Sequence, residues 1–119
     1  MDFYQTSLSQ LHDDLVNKKI SATELTKETF DHIKGNEDQV KAFISLNEDQ
    51  ALKRAAEIDA KGISADQLTA GVPLAVKDNI LTKGLTTTAA SKMLENFNTV
   101  YDATVVEKLN AADYINVGK

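Results

Sequence analysis

Apolar positions recur at helical spacing through the first sixty residues and then give way to short, nearly continuous apolar runs. Leu8, Leu11 and Leu15 repeat at three- and four-residue intervals, which predicts a first helix over 7–18, with Ser7 and Gln10 resembling a capping box. A second helix is signalled more fully. Ser21 and Glu24 form Ser-x-x-Glu, Ile20 and Leu25 stand as a hydrophobic staple, and Gly35 occupies a C-terminal cap position. Leu25, Thr29 and Ile33 would share one face of it. Residues 40–46, rich in β-formers, predict a strand ended by Asn47. Asn47 also suits the N-cap of a third helix, with Gln50 at its third position. That helix would align Leu52, Ala55, Ala56 and Asp59, small enough in part to pack closely on a sheet, and end near Gly62. Glu48, Asp49, Lys53, Arg54 and Glu57 read as its solvated face. Residues 62–71 form a connector.

The stretch Gly71-Val72-Pro73-Leu74-Ala75-Val76-Lys77-Asp78-Asn79-Ile80 organises the second half. Its apolar residues have the composition of a strand buried on both faces, and the run delivers a lysine straight to a polar step. Two readings of Lys77 are open at this level. Desolvation can pull a lysine pKa from about 10.4 toward neutrality, leaving an amine that can accept a proton. Alternatively Lys77 ends the strand and reaches water. Asp78 and Asn79 fit a turn after the strand, bonding to nearby backbone. Residues 82–88 read as a loop with strand-like edges. Asp102 is the expected N-cap of a helix over 103–112, with Val105, Val106, Leu109 and Ala112 facing inward, and 114–117 alternate as a last strand. Gly118-Lys119 is not a phosphate loop, because the rest of that motif is missing.

Composition narrows the function classes. A chain of 119 residues with 42% hydrophobic and 26% charged residues is ordinary for one globular domain. No run of about 18 apolar residues could span a membrane. The acidic, polar N-terminus is not expected to be a signal peptide. Cysteine is absent, which removes disulfides and thiolate metal sites and suits a reducing cytoplasm. The net charge of −5 lies entirely in residues 1–70, the wrong sign for gripping a phosphate backbone. His12 and His32 lack metal-ligand spacing and read as solvated helix residues, so no metal or cofactor is expected on this chain. Ser91-Lys92 suggests a nucleophile and base, but it lies in neither a Gly-x-Ser-x-Gly elbow nor a Ser-x-x-Lys motif and reads as structural.

A resemblance adds to these readings. Gly71, Pro73, Lys77 and Asp78, then Thr87, Thr88, Ser91 and Lys92, then Thr104, Val105, Val106 and Leu109 follow a Gly-x-Pro-x-x-x-Lys-Asp strand, a Thr-Thr-x-x-Ser-Lys loop and an acidic helix. Together they resemble the amidase-signature family, weakly before residue 40 and strongly from 71 to 109. The Ala-Ser-Lys-Met-Leu-Glu segment at 90–95 favours its tRNA-dependent amidotransferase branch.

The resemblance implies an α/β fold in which helices pack on part of a mixed sheet. Residues 1–119 would be one N-terminal fragment of an amidase domain, helical over about 1–62 and strand-loop-helix-strand over about 71–119. It implies a Ser–cis-Ser–Lys triad with Lys77 as the catalytic lysine. It also implies glutamine as substrate, B- and C-type partner subunits, tRNA reached only through a partner, and ATP and Mg²⁺ handled there too. The only serines are Ser7, Ser9, Ser21, Ser45, Ser64 and Ser91, and none sits in the family's Gly/Ser-rich signature. The chain alone is therefore expected to be inactive, with uncovered strand edges that favour self-association. The competing expectations are another amidase acting on free amides, or a non-catalytic interaction module, which an exposed Lys77 would support.

Overall fold

Helix formation begins with capping. In the computed structural model, which describes residues 1–119, α1 spans Leu8–Val16 and its Gln10 amide donates to Ser7 Oγ at 3.2 Å. Helix α2, Ala22–Val40, carries the full capping box: the Glu24 amide donates to Ser21 Oγ and the Ser21 amide to Glu24 Oε2. Asp59, from α3 (Glu48–Lys61), completes that helix end. Its carboxylate accepts from the Ala22 amide at 2.7 Å, the Thr23 amide at 3.0 Å and Thr23 Oγ1 at 2.6 Å. An anion over unpaired N-terminal amides is favoured by both hydrogen bonding and the helix dipole.

Gly35 does not end α2. A Cβ there would meet nothing within 4 Å, so this glycine costs the helix only its intrinsic propensity while Phe30 and Ile33 hold the buried face. The helix instead ends at Lys41, in the left-handed region, where Glu37 Oε1 accepts from the Phe43 amide at 2.8 Å. The strand expected over 40–46 is therefore absent. Val40 closes α2, and only Leu46 pairs, in a single antiparallel bridge to Gly118. Asn47 precedes α3 without capping it, because its side chain donates to Asn116 O at 3.1 Å.

Two strands, β1 (Pro73–Ala75) and β2 (Ile115–Gly118), pair in parallel with a register shift between Leu74 and Ala75. The strand expected in the apolar run from Val72 to Val76 is thus three residues long. Between the strands run a loop bridged at Thr86 and Asn98, a short 3₁₀ turn at Lys92–Leu94, and α4, Thr104–Ala111. Ala103, not Asp102, caps α4; Asp102 Oδ1 accepts from the Lys83 amide at 2.6 Å and ties the loop to the helix.

The main core packs α2 and α3 over the sheet, with Leu25, Phe30, Ala51, Ala55, Ile58, Val72, Ile115 and Val117 buried together. Ala51 and Ile58, rather than Leu52 and Ala56, share the buried stripe of α3 with Ala55. Val76, Val106 and Tyr114 form a second, smaller cluster against α4, where Val105 stays exposed. No helix is long and apolar enough to cross a membrane.

Asp113 leads into β2 at φ 59°, a conformation that aspartate and asparagine tolerate better than most residues. It is 6% exposed and accepts from Lys61 Nζ at 2.6 Å and Arg54 at 2.5 Å. The hydrogen bond from Lys61, with the two positive charges, holds its carboxyl below the ordinary aspartate value of 3.8 against the opposing effect of burial. A depressed folded-state pKa contributes stability above the unfolded value, and that stability is lost as pH falls through about 4 and below. Asp113→Asn keeps the backbone preference and removes the charge. It is expected to lower stability at pH 7 by about 1–2 kcal/mol, since both cations are partly solvated, and to flatten the acid limb of the stability–pH curve. Denaturant titrations from pH 3 to 7 measure both effects.

Gly118 has φ 154°, and a Cβ there would lie 2.4 Å from Ser45 O and 3.0 Å from Phe43 Cδ1. Gly118→Ala is expected to lower the denaturant midpoint by an amount equivalent to about 2–3 kcal/mol. An unchanged midpoint would show that the 43–46 segment yields freely.

Candidate functional site

The C-terminal end of the parallel pair opens onto a cleft of about 610 Å³. Its walls are 42–44, the end of β1 with residues 76–79, the pair Ala89-Ala90, and Lys119. Strand ends are where open α/β sheets place ligands, because loops diverge there and backbone groups lose their ladder partners. A second hollow of about 300 Å³ between α1 and the α2–α3 junction has Lys18, Glu24 and Asp59 among mostly apolar walls. Glu24 and Asp59 are already engaged in capping, so that hollow offers little chemistry.

Lys77 stands on the cleft wall and is exposed. This corrects the expectation of a strand buried on both faces: Val76 points inward, while Ala75 and Lys77 face the opening. The ammonium joins none of the chain's ion pairs. Its backbone is well fixed. The Val76 amide donates to Gly118 O at 3.0 Å, and the Ile80 amide donates back to Lys77 O at 3.0 Å, closing a turn over 77–80.

Asp78 anchors that turn to the facing loop, a longer reach than the local backbone bond expected of it. Its Oδ2 accepts from the Thr88 amide at 3.0 Å and from Thr88 Oγ1, and its carbonyl accepts from the Ala89 amide at 2.8 Å. Asp78 is 7% exposed, and its Oδ1 is buried without a partner. The result of this anchoring is an unusual backbone. Ala89 and Ala90 both sit in the left-handed region, at φ 48° and 57°, without being glycine. Each such residue carries strain of about 1–2 kcal/mol, which persists only where surrounding bonds impose it.

Lys119 is the residue that sequence reasoning missed. It is 4% exposed, and its Nζ donates to Ile80 O and, at 2.8 Å, to Thr82 Oγ1. Burial pulls this ammonium below the ordinary lysine range, while the Asp78 carboxylate opposes the shift. A signal was available. Val117-Gly118-Lys119 repeats the arrangement of Ala75-Val76-Lys77, a strand ending in a lysine, and the buried lysine is the second, not the first.

The remaining candidates are structural. Ser91 Oγ accepts from the Met93 amide at 3.3 Å as the cap of the 3₁₀ turn, and Lys92 is exposed. His12 is buried rather than solvated, with Nε2 2.9 Å from Ala65 O, where it serves as donor. His32 stacks on Phe3 with ring centroids 4.6 Å apart, so the two histidines serve separate packing roles.

Comparison with known proteins gives this geometry a setting. The chain is 99% identical over 119 residues to the A-type subunit of glutamyl-tRNA(Gln) amidotransferase from Limosilactobacillus reuteri, and 71% identical to that from Limosilactobacillus fermentum. In each case the match covers all of this chain and 24% of the relative, so the chain spans about a quarter of the relatives' length. Among solved structures, native peptide amidase from Stenotrophomonas maltophilia aligns with a TM-score of 0.88 at 30% identity, covering 99% of this chain and 25% of that one. The A-type subunit of glutamyl-tRNA(Gln) amidotransferase from Thermotoga maritima aligns with a TM-score of 0.71 at 35% identity, covering 100% of this chain and 23% of that one. The α/β arrangement of helices on a small sheet is thus the one these enzymes share. The amidase family model matches residues 24–119, from the first turn of α2 through both lysine-ended strands, and the chain belongs to the amidase family.

Proposed function

We propose that this chain is the N-terminal part of the amidase subunit of a tRNA-dependent amidotransferase. In this reading the complete subunit hydrolyses glutamine and passes ammonia to a partner subunit, which amidates a mischarged aminoacyl-tRNA to Gln-tRNA(Gln) or Asn-tRNA(Asn). The observation that carries it is the 99% identity over all 119 residues to the A-type subunit of a glutamyl-tRNA(Gln) amidotransferase. B- and C-type subunits are the partners, and tRNA, ATP and Mg²⁺ are held by the partner rather than by this acidic segment.

Lys77 is the catalytic residue in this part of the protein. Its amine takes a proton, through an intervening serine, from the nucleophilic serine and returns one to the departing ammonia. A serine hydroxyl is a weak nucleophile until a positioned base removes its proton. The two serines and the oxyanion-binding amides belong to the portion of the relatives that lies outside this match. The anchored turn over 77–80 and the strained Ala89-Ala90 wall support a cleft held in one shape. By itself the 119-residue chain supplies one member of the triad and no turnover.

Two other readings have an observation each. The higher TM-score to peptide amidase, 0.88 against 0.71, favours an amidase acting on other amides. The exposure of Lys77 favours a non-catalytic docking module. Ammonia release separates all three, measured on the 119-residue chain and on the full-length subunit carrying this segment, assembled with its partners. The full-length protein is expected to hydrolyse glutamine but not a peptide amide. Lys77→Met is expected to lower kcat by about 10²–10⁴-fold with KM little changed. Preferential peptide-amide hydrolysis would select the second reading. Glutamine hydrolysis indifferent to Lys77→Met would remove that residue's assignment.

A further inference from the structure

The two lysines at the cleft are held in opposite ways. Lys77 is exposed and unpaired, whereas Lys119 is buried and fully engaged. The partners of Lys119 lie on one short segment. Ile80 O and Thr82 Oγ1 both accept from its ammonium, and the Thr82 hydroxyl donates to Ile80 O at 3.1 Å, closing a three-membered network. That segment is the continuation of the turn bearing Lys77, since the Ile80 amide donates to Lys77 O at 3.0 Å. The base of Lys119 is equally fixed. Its amide donates to Ser45 O at 2.9 Å, and its carbonyl accepts from the Ile44 amide at 2.7 Å.

We propose that Lys119 is a positioning residue for Lys77: its buried ammonium clamps the segment from Lys77 to Thr82 through Ile80 O and Thr82 Oγ1, and so sets where the Lys77 amine stands on the cleft wall. The inference rests on the glutaminase reading, in which that amine must meet a proton carrier at hydrogen-bond distance. Two features make the role more than loop closure. A carbonyl and a hydroxyl can be satisfied by a neutral amide side chain, so a desolvated charge is an unfavourable choice unless charge itself is used. The titratable groups lining the cleft are Lys77, Asp78 and Lys119, with none from 42–44 or 89–90. The Lys119 charge feels the Asp78 carboxylate across the cleft without bonding to it, and Asp78 Oδ1 is buried with no hydrogen-bond partner. The Lys77–Thr82 segment is therefore pinned twice, by Asp78 to the Thr88 loop and by Lys119 to β2. Lys77 itself is left unencumbered between the two pins.

The test is the kinetics of the full-length protein, assembled with its partner subunits, with glutamine as substrate. Displacing a catalytic group by about 1 Å costs on the order of 10²-fold in rate. Lys119→Met is expected to lower kcat by about that factor with KM within about twofold of the parent. Thr82→Val removes one acceptor and leaves the charge in place. It is expected to lower kcat by about tenfold, while Thr82→Ser, which keeps the hydroxyl, restores it. Should Lys119→Met fail to fold, the Thr82 pair decides. Parental kcat in Thr82→Val together with parental kcat or no folded protein for Lys119→Met overturns the inference, and so does a rise in KM at constant kcat. A parent without glutaminase activity, or one indifferent to Lys77→Met, overturns the functional reading and takes the inference with it. Activity that needs Lys77 but ignores Thr82 and Lys119 overturns the inference alone.

Discussion

The structure depends on one junction, where the C-terminal end of β2 receives backbone from two distant parts of the chain. The Asn47 amide donates to Val117 O at 3.0 Å, the Ile44 amide to Lys119 O at 2.7 Å, and the Val76 amide to Gly118 O at 3.0 Å. A strand so short could not hold a parallel partner by its ladder alone, because a two-stranded sheet is marginal without covering layers. Here α2 and α3 cover one side through Phe30, Ala51, Ala55 and Ile58, and α4 supports the other through Val106. Alanines on α3 allow its backbone to approach the sheet closely, and the absence of a Cβ at Gly118 does the same for the 43–46 segment. Packing and backbone pairing thus reinforce each other at the place where the cleft opens.

What was legible in the sequence was what is decided locally. The capping box at Ser21 and Glu24, the three leucines of α1 and the end of α3 at Gly62 all follow from residues within one turn of each other. Expectation and structure part where a distant partner overrides a local preference. Asn47 has a capping side chain but directs it to Asn116, Asp102 accepts from the Lys83 amide and from Asn110 in the last turn of α4 instead of capping that helix, and Asp59 caps a helix 36 residues away. The β-formers Val40 and Ile44 end up largely exposed, because the helix carries through Gly35 and the segment after it makes one β-bridge, at Leu46. Sequence spacing contains none of those pairings.

The site was half legible for the same reason. A strand delivering a lysine to a polar step occurs twice, after Val76 and after Gly118, and composition alone leaves open whether the first is desolvated or reaches water. Which lysine is buried depends on what stands opposite. Lys77 projects from the open face beside Ala75, whereas Lys119 lies under the 80–82 segment and meets a carbonyl and a hydroxyl. Asp78 likewise gives no sign in the sequence that its partner is Thr88, ten residues on.

The strain at Ala89 and Ala90 links these features. Glycine at either position would relieve the positive φ, yet a glycine pair would also widen the choice of loop conformations in the unfolded and folded chain. Alanine accepts only a small left-handed well, so once Asp78 and Thr88 force the loop there, it has little room to wander. A cleft wall built this way is rigid without a buried core of its own. Opposite it, Lys119 pins the other wall with a charge. The segment therefore presents Lys77, a flexible side chain on a stiff base, between two walls whose geometry is set by bonds rather than by bulk. In the proposed reading, that arrangement aims a single amine while leaving its own terminus unpaired.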